Sequence, residues 1–407
     1  MPGKKSIPLN NMIEHILMNS DENFMKSALE KMLNLIMELE VQAKVGAAKH
    51  ERTEERSAYR NGTRSRQLAT GVGQVTLQIP KLRSGESYYP AFLEPRRMVD
   101  KALVNVIQEA YINGVSTRKV DRLVEDMGMK IDKSAVSRLC KELDESVNEW
   151  RNRPLTGEYP YVWLDATFPK VREGGHVLGM ALLVAIAVDM NGDRHILGLD
   201  VGTSETGAHW EAFLQSLVAR GLKGVKLVIS DSHQGLKSAI AKVLPGTSWQ
   251  RCRVHCMRNI LCNVPKKQQG MVSAMVRTIF LQENMQEAKK QLRTVVDQLK
   301  GHYPKAMEVL ENAEDEILAY MNFPSAHHAQ IYSTNPLERL NKEIRRRSNV
   351  VSIFPNRDSL IRLIGSVLME QQDEWMAAEK RYMSLDSMSK LKMMDLPPAP
   401  PVLALSA

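Results

Sequence analysis

Residues 225–236, VKLVISDSHQGL, decide the fold. The β-favouring run from Val225 to Ile229 halts at Ser230-Asp231, and Gly235 follows close behind. A short apolar run bounded by turn residues reads as a buried central strand. Its terminal acid is then held by the most rigid part of the domain, at the crevice where open sheets keep their sites. One such acid is uninformative, because aspartate also serves in turns and at helix N-caps. A second strand ending the same way changes the reading. Residues 161–164 (YVWL) run into Asp165, so WLD and ISD read as one device used twice.

The stretches around these strands set a topology. The apolar run 177–188 (VLGMALLVAIAV) leads to a turn at 190–193 (MNGD), and a strand returns over 195–201. That turn accounts for Asp189 and Asp193. A helix capped near Ser204 or Thr206 puts Trp210, Phe213, Leu214, Leu217 and Val218 on one face and stops at Gly221. The 225–231 strand follows, then a helix near 236–243, a short strand near 249–251 and another helix. The order β-β-β-α-β-α-β-α, a hairpin sheet continued by right-handed crossovers, predicts an α/β, RNase-H-like (retroviral-integrase-like) core. In such a sheet the first and fourth strands are neighbours, which brings Asp165 and Asp231 together.

Residues 263–324 are charged, helical by period and poor in strand signals, as expected of a helical insertion. The core resumes at Ser333. Thr334-Asn335-Pro336-Leu337-Glu338 opens a helix, with Asn335 as N-cap and Pro336 at the first helical position, and the helix continues as ERLNKEIRRR. A further amphipathic helix spans 360–375. The stretch LPPAPPVLALSA is too proline-rich to join the core.

The first 150 residues differ in character. Apolar residues recur at helical spacing over 21–49. Arg52, Arg56, Arg60, Arg64 and Arg66 follow, with Asn61-Gly62 as a turn among them. Residues 74–80 (QVTLQIP) alternate like a strand and lead to Lys81 and Arg83. Glu51, Glu54 and Glu55 allow a solvated surface, but 60–83 contains no acid to neutralise its cations, which favours contact with a DNA backbone. Residues 100–150 read as three helices, punctuated by Gly114, the N-cap Ser116 and Gly128. The last two, joined at Gly128, match a helix-turn-helix that presents Lys133, Ser134, Ser137, Arg138 and Lys141 to a major groove. The same caps and periods serve a plain helical bundle.

The expected domain plan is a helical and basic DNA-binding region with a short β segment over 1–98 and a helix-turn-helix domain over 99–155. Core segments follow over 156–262 and 325–385, the helical insertion over 263–324, and a disordered tail over 386–407.

The whole chain of 407 residues carries 55 Lys and Arg against 47 Asp and Glu, a net charge of +8 that suits a polyanionic partner. Its longest apolar run, 12 residues over 177–188, falls short of the roughly 18–20 of a membrane span. MPGKKSIPLNN shows no apolar core of a secretory signal. Four cysteines, three of them between 252 and 262, do not form a disulfide framework, so an intracellular, reduced protein is expected.

Three carboxylates converging from separate elements suit two Mg²⁺ or Mn²⁺ ions, hard cations that take oxygen ligands and promote phosphoryl transfer. Glu338 and Glu343 are candidates for the third acid. Glu338, in the first turn, is the better anchored, although its spacing from Asn335 also fits a capping box. Arg339, Lys342, Arg345, Arg346 and Arg347 on the same helix suit phosphates beside a metal site.

At these residues the chain resembles the Mutator-type bacterial insertion-sequence transposases, which carry a DDE, RNase-H-like core. The resemblance spans roughly residues 51–375 and rests on YRNGTRSRQLAT, QIPKLRSG, LDATFPKVRE, VISDSHQGL, WQRCRVHCMRN and STNPLERLNKEIRRR, in that order. It implies a catalytic and metal-binding triad of Asp165, Asp231 and Glu338; Arg172, in LDATFPKVRE, is a further expected DNA contact. It further implies cleavage at transposon ends in double-stranded DNA, joining of a 3′ hydroxyl to the other strand or to target DNA, and assembly as a homodimer or larger complex. The bacterial cytoplasm, in association with the nucleoid, is the expected location. Where the family often has glycine and, two residues on, tyrosine, this chain has Ala166 and Phe168. WQRCRVHCMRN matches the family's Cys-x-x-His element at Cys252 and His255, which points to a role near the site or on DNA, or to packing of Cys252. Zinc on Cys252, His255, Cys256 and Cys262 is disfavoured, since a helix would hold the outer pair about 15 Å apart. His233 reads as a helix cap, with phosphate contact as the alternative. A sequence-specific DNA-binding regulator on an inactive core is the competing reading, and a nuclease that cuts without joining is a third.

Overall fold

The computed structural model describes residues 24–47, 51, 56–70, 72–83, 88–90, 92–93, 101–112 and 140–393. These fall into two compact units that divide between Lys141 and Glu142.

In the first unit, helix α1 (Phe24–Val45) buries Met37, Val41 and Val45, spaced one turn apart. It lies on an antiparallel ribbon of β1 (Arg60–Thr70) and β2 (Gly73–Leu82). Alternation in β2 sends Val75, Leu77 and Ile79 into the core. Side chains of α1 also bond the edge of β2: Asn34 Oδ1 accepts from Gln78 N at 2.8 Å and Glu30 Oε2 from Thr76 N at 3.0 Å. Asn61-Gly62 is not a turn. It lies inside β1, where the register shifts between Arg60 and Thr63 and Gly62 takes the left-handed φ of 70° that glycine permits. Helix α2 (Lys101–Ile112) matches the first of the three helices expected over 100–150.

Helix α3 (Leu143–Asn152) opens the second unit, so the segment 99–155, expected as one domain, is divided. The reason is packing: Asp144 takes two hydrogen bonds from Arg362, at 2.7 and 2.8 Å. The second expected helix and the first part of the third, with Lys133, Ser134, Ser137 and Arg138, lie outside the described residues; α3 is the latter part of the third.

Five strands form the central sheet: β3 (Tyr161–Thr167), β6 (Ala181–Val188), β7 (Arg194–Gly202), β8 (Leu227–Ser230) and β9 (Ser248–Arg251). Their order is β7-β6-β3-β8-β9, antiparallel on the β6 side of β3 and parallel on the β8 side. The first and fourth strands of this sheet are therefore neighbours, as expected. Every residue of β6 is buried, because helices cover both faces. Helices α4 (Gly207–Ala219) and α5 (Gln234–Val243) cover one face through Trp210, Phe213, Leu214, Leu217, Leu236 and Ile240.

Two expectations about strands need correction. Asp165 does not end its strand, because β3 continues to Thr167, paired with Leu182 of β6. The run 177–188 is not one strand either. A small hairpin, β4 (Lys170–Glu173) with β5 (His176–Gly179), precedes β6 and is separated from it by Met180. Its tip is Gly174-Gly175, both at positive φ.

After α6 (Arg253–Cys262) the insertion forms its own core from α7 (Gln269–Ile279), α8 (Met285–Leu299), α9 (Pro304–Glu311) and α10 (Glu314–Leu318). The short α11 (His328–Ile331) leads to α12 (Asn335–Val351), then α13 (Arg357–Ala377) and α14 (Leu385–Met393). The N-cap of α12 is Thr334, and Asn335 is its first helical residue. Residues 386–393, expected within the tail, belong to α14 instead and bury Met388 and Leu391; residues 394–407 lie outside the described residues.

Candidate active site

Three acids from distant parts of the sequence gather at the C-terminal end of β8. Asp165 projects from β3, the strand beside β8, and Asp231 stands just past β8. Glu338 lies in the first turn of α12. His255 of α6 joins two of them, its Nδ1 contacting Asp231 Oδ1 and its Nε2 lying 3.8 Å from Glu338 Oε1. The third link was missed by sequence reasoning. Asn341, one helical turn after Glu338 and 3% exposed, donates from Nδ2 to Asp165 Oδ2 at 2.5 Å. A polar residue inside a charged helix carries no sequence signal of such a role.

The start of α12 is fixed from three sides. Arg253 N donates to Tyr332 O at 3.1 Å, and Trp163 Nε1 of β3 to Ser333 O at 3.1 Å. Thr334 donates to Cys252 Sγ from its backbone N at 3.4 Å and from Oγ1 at 3.3 Å. Cys252 is thus a buried anchor at the N-cap of α6, and it also lies beside His255.

The electrostatics follow from this crowding. Burial first, then the neighbouring Asp231 carboxylate, push the Asp165 carboxyl up to about 6, against the bonds from Ala166 and Asn341 and the charge of His255. The hydrogen bond to Asp231, then that to Cys252, pulls His255 up to about 10, against its burial. Burial pushes the Cys252 thiol up, but hydrogen bonds from His255 and Thr334 outweigh it and the net shift is downward.

Glu343, the other candidate acid, is engaged elsewhere. Arg346 and Arg347 both donate to it at 2.7 Å and hold its carboxyl at about 2, the Arg346 bond being the larger cause. The capping-box reading of Glu338 finds no support, since α12 has no side-chain cap bond. His233 is a cap: its Nδ1 accepts from Leu236 N at 3.2 Å. Among the described residues, Asp231, Cys252 and His255 hold ligand atoms within 4.8 Å of one another, whereas Cys256 belongs to the insertion core and Cys262 is exposed.

The cations sort by partner. Arg339, Lys342, Arg345 and Arg346 lie exposed along α12, and Arg172 is exposed on β4. In the first unit Lys81, Arg83 and Lys141 are exposed, and Arg64 lies with its guanidinium 5.7 Å from the centre of the Tyr89 ring. Arg60 is neutralised after all, by Glu38 of α1, and Arg66 bonds Tyr89 Oη. The acid that 60–83 lacks comes from the helix beneath.

No helix among the described residues is long and apolar enough to cross a membrane. The chain matches the family described as "Transposase, Mutator family" over residues 4–378. It is 42% identical over 379 residues to the transposase for insertion sequence element IS1081 of Mycobacterium tuberculosis, covering 92% of this chain and 91% of that one. Identity to the IS406 transposase of Burkholderia multivorans is 42% over 356 residues, 86% of this chain and 91% of that one. To the IS256 transposase of transposon Tn4001 from Staphylococcus aureus it is 39% over 388 residues, 94% and 98% of the two chains. The chain belongs to the Mutator family of transposases.

Proposed function

We propose that this DNA transposase cuts and joins phosphodiester bonds at the ends of its insertion sequence, using Asp165, Asp231 and Glu338 on an RNase-H-like core. The strand order and the two parallel neighbours at β3 and β8 support that fold. One observation carries the site assignment. His255 and Asn341 tie together three carboxylates from three elements, with Asp165 and Asn341 176 residues apart in sequence. A structural helix has no use for an acid held beside two others, because each raises the cost of ionising its neighbours.

The donor set fits divalent metal. The three acids offer hard oxygen donors, and burial, then the neighbouring Asp231 carboxylate, raises the Asp165 carboxyl. Asp165, Asp231 and Glu338 would hold Mg²⁺ or Mn²⁺, two ions on the phosphoryl-transfer pattern. Bound metal supplies Lewis acidity at the attacking and leaving oxygens. The protein's own part is positioning. Asn341 orients Asp165, His255 spaces Asp231 from Glu338, and the bonds to residues 332–334 hold α12 in place. Exposed Arg339, Lys342, Arg345 and Arg172 of the second unit line the DNA approach, and Arg64, Lys81, Arg83 and Lys141 of the first unit hold DNA in their own right. Action on paired ends requires a homodimer or larger assembly.

The test incubates purified protein with Mg²⁺ or Mn²⁺ and labelled duplexes bearing the element's ends, beside Asp231→Asn. Wild type cleaves and joins, whereas Asp231→Asn binds and does neither. End binding with no chemistry in either metal would leave a DNA-binding regulator. Cleavage without joined product would leave a nuclease.

A further inference from the structure

Beside the acids, a groove of about 410 Å³ opens between the exit of β3 and the second half of α12. Phe168, Lys170, Arg345, Ser348 and Asn349 line it, with Phe354 at 1% exposure among its buried walls. Phe168 is 55% exposed. One exposed apolar residue means little by itself. Here the phenyl ring faces a cavity with two cations, several hydrogen-bonding groups and no carboxylate in its lining.

The walls are held in place. Phe354 N donates to Lys170 O at 2.9 Å and Arg172 N to Phe354 O at 2.8 Å, so β4 is bonded to the segment after α12. Ser352 takes a φ of +63°, a strained value for a residue with a side chain, where the chain turns back toward Phe354. Arg345 Nε donates to Asn341 O at 3.3 Å. Two of the groove's walls continue the elements that carry Asp165 and Glu338. Phe168 follows Asp165 by three residues, about 10 Å at roughly 3.3 Å per strand residue. Glu338, Asn341 and Arg345 share one helical face by their spacing. At about 3.4 Å per duplex step, the groove lies within about three nucleotides of a phosphate held at the acids.

A flat ring flanked by cations is the chemistry that takes a base on its face and the attached phosphate on its rim. We propose that this groove receives one unstacked nucleotide of the bound DNA end, its base laid on Phe168 and its phosphate on Lys170 and Arg345. The inference rests on the placement of the scissile phosphate at Asp165, Asp231 and Glu338. It gives Phe168 a task that the triad does not supply.

The test uses the full chain and element-end duplexes carrying 2-aminopurine at each of the three positions on either side of the cleavage point. Emission rises at one position with wild type and with Asp231→Asn, since unstacking precedes chemistry. Phe168→Ala abolishes the rise and slows cleavage of paired ends about tenfold, the loss expected for one base–aromatic stack. Phe168→Tyr retains both. An abasic nucleotide at the responding position restores cleavage by Phe168→Ala, because no base then has to be unstacked. Circular dichroism of Phe168→Ala should match wild type, given the exposure of the ring. Unchanged emission and cleavage in Phe168→Ala, or no responding position in wild type, would overturn the groove. Cleavage by Asp231→Asn at the wild-type rate would instead overturn the triad, while the emission profiles still report on the groove.

Discussion

Asn341 donates its amide to Asp165 from the helix that carries Glu338, so one bond couples the first acid to the element bearing the third. Asn341→Ala breaks that coupling without touching DNA. Cleavage is expected to fall about tenfold to a hundredfold, the cost of a misplacement near 1 Å, while binding of the element's ends stays within about twofold. Gel-shift and single-turnover cleavage assays separate the two effects. A second residue sets a pH limit far from the chemistry. His327 is 0% exposed, with Nδ1 2.7 Å from Tyr161 Oη, and burial, then the charge of His328, depresses its pKa to about 4. The unfolded chain binds the proton near pH 6.5, so stability present above that pH is lost as pH falls toward 4. The loss amounts to roughly 3 kcal/mol. Urea unfolding at pH 7 and pH 4 reads it, and His327→Phe should shrink the difference between the two.

At the scale of elements, α13 crosses α3 where Gly365 meets Val147. A Cβ at Gly365 would lie 2.4 Å from Val147 Cγ1. Gly365→Ala should therefore destabilise the unit by about 1–3 kcal/mol, visible as a lower urea midpoint, although alanine is the better helix former. Most elements of the second unit were legible in the sequence, because strands buried on both faces leave continuous apolar runs and the insertion keeps a helical period. Strands with other burial patterns were not. RNGTRSRQLAT shows almost no apolar alternation because β2 contributes most of the ribbon's buried face, so β1 reads only as an arginine series around a turn. KVRE and HVLG are nearly all exposed, and the hairpin they form leaves no pattern to read. Asp165 looked like a strand end because the apolar run stops there, but backbone pairing with β6 continues whatever the side chains are.

At the scale of the whole molecule, the two parallel strands placed Asp165 beside Asp231 from pattern alone. The pairing of Asp165 with Asn341 across 176 residues left no local trace, since nothing near either residue encodes the other. Within the first unit, charge is shared between a helix and a strand in the same hidden way. Arg60 is spent on Glu38, whereas Arg64, Lys81 and Arg83 are exposed. Replacing those three exposed cations by alanine should reduce the slope of log affinity against log salt by about 3, near 0.9 per lost phosphate contact, measured by fluorescence anisotropy from 50 to 200 mM salt. The order in which the chain carries its acids has a temporal consequence as well. On a ribosome adding roughly 5–20 residues per second, some 10–35 seconds pass between Asp165 and Asn341. Until the later segment emerges, the nascent chain owns a sheet and two acids but no assembled centre. A truncated product ending before Asn335 is expected to occupy the element's ends without cutting them. Added to the full-length chain in a cleavage assay, such a fragment should compete for ends and lower the yield, so premature termination itself would restrain the element's spread.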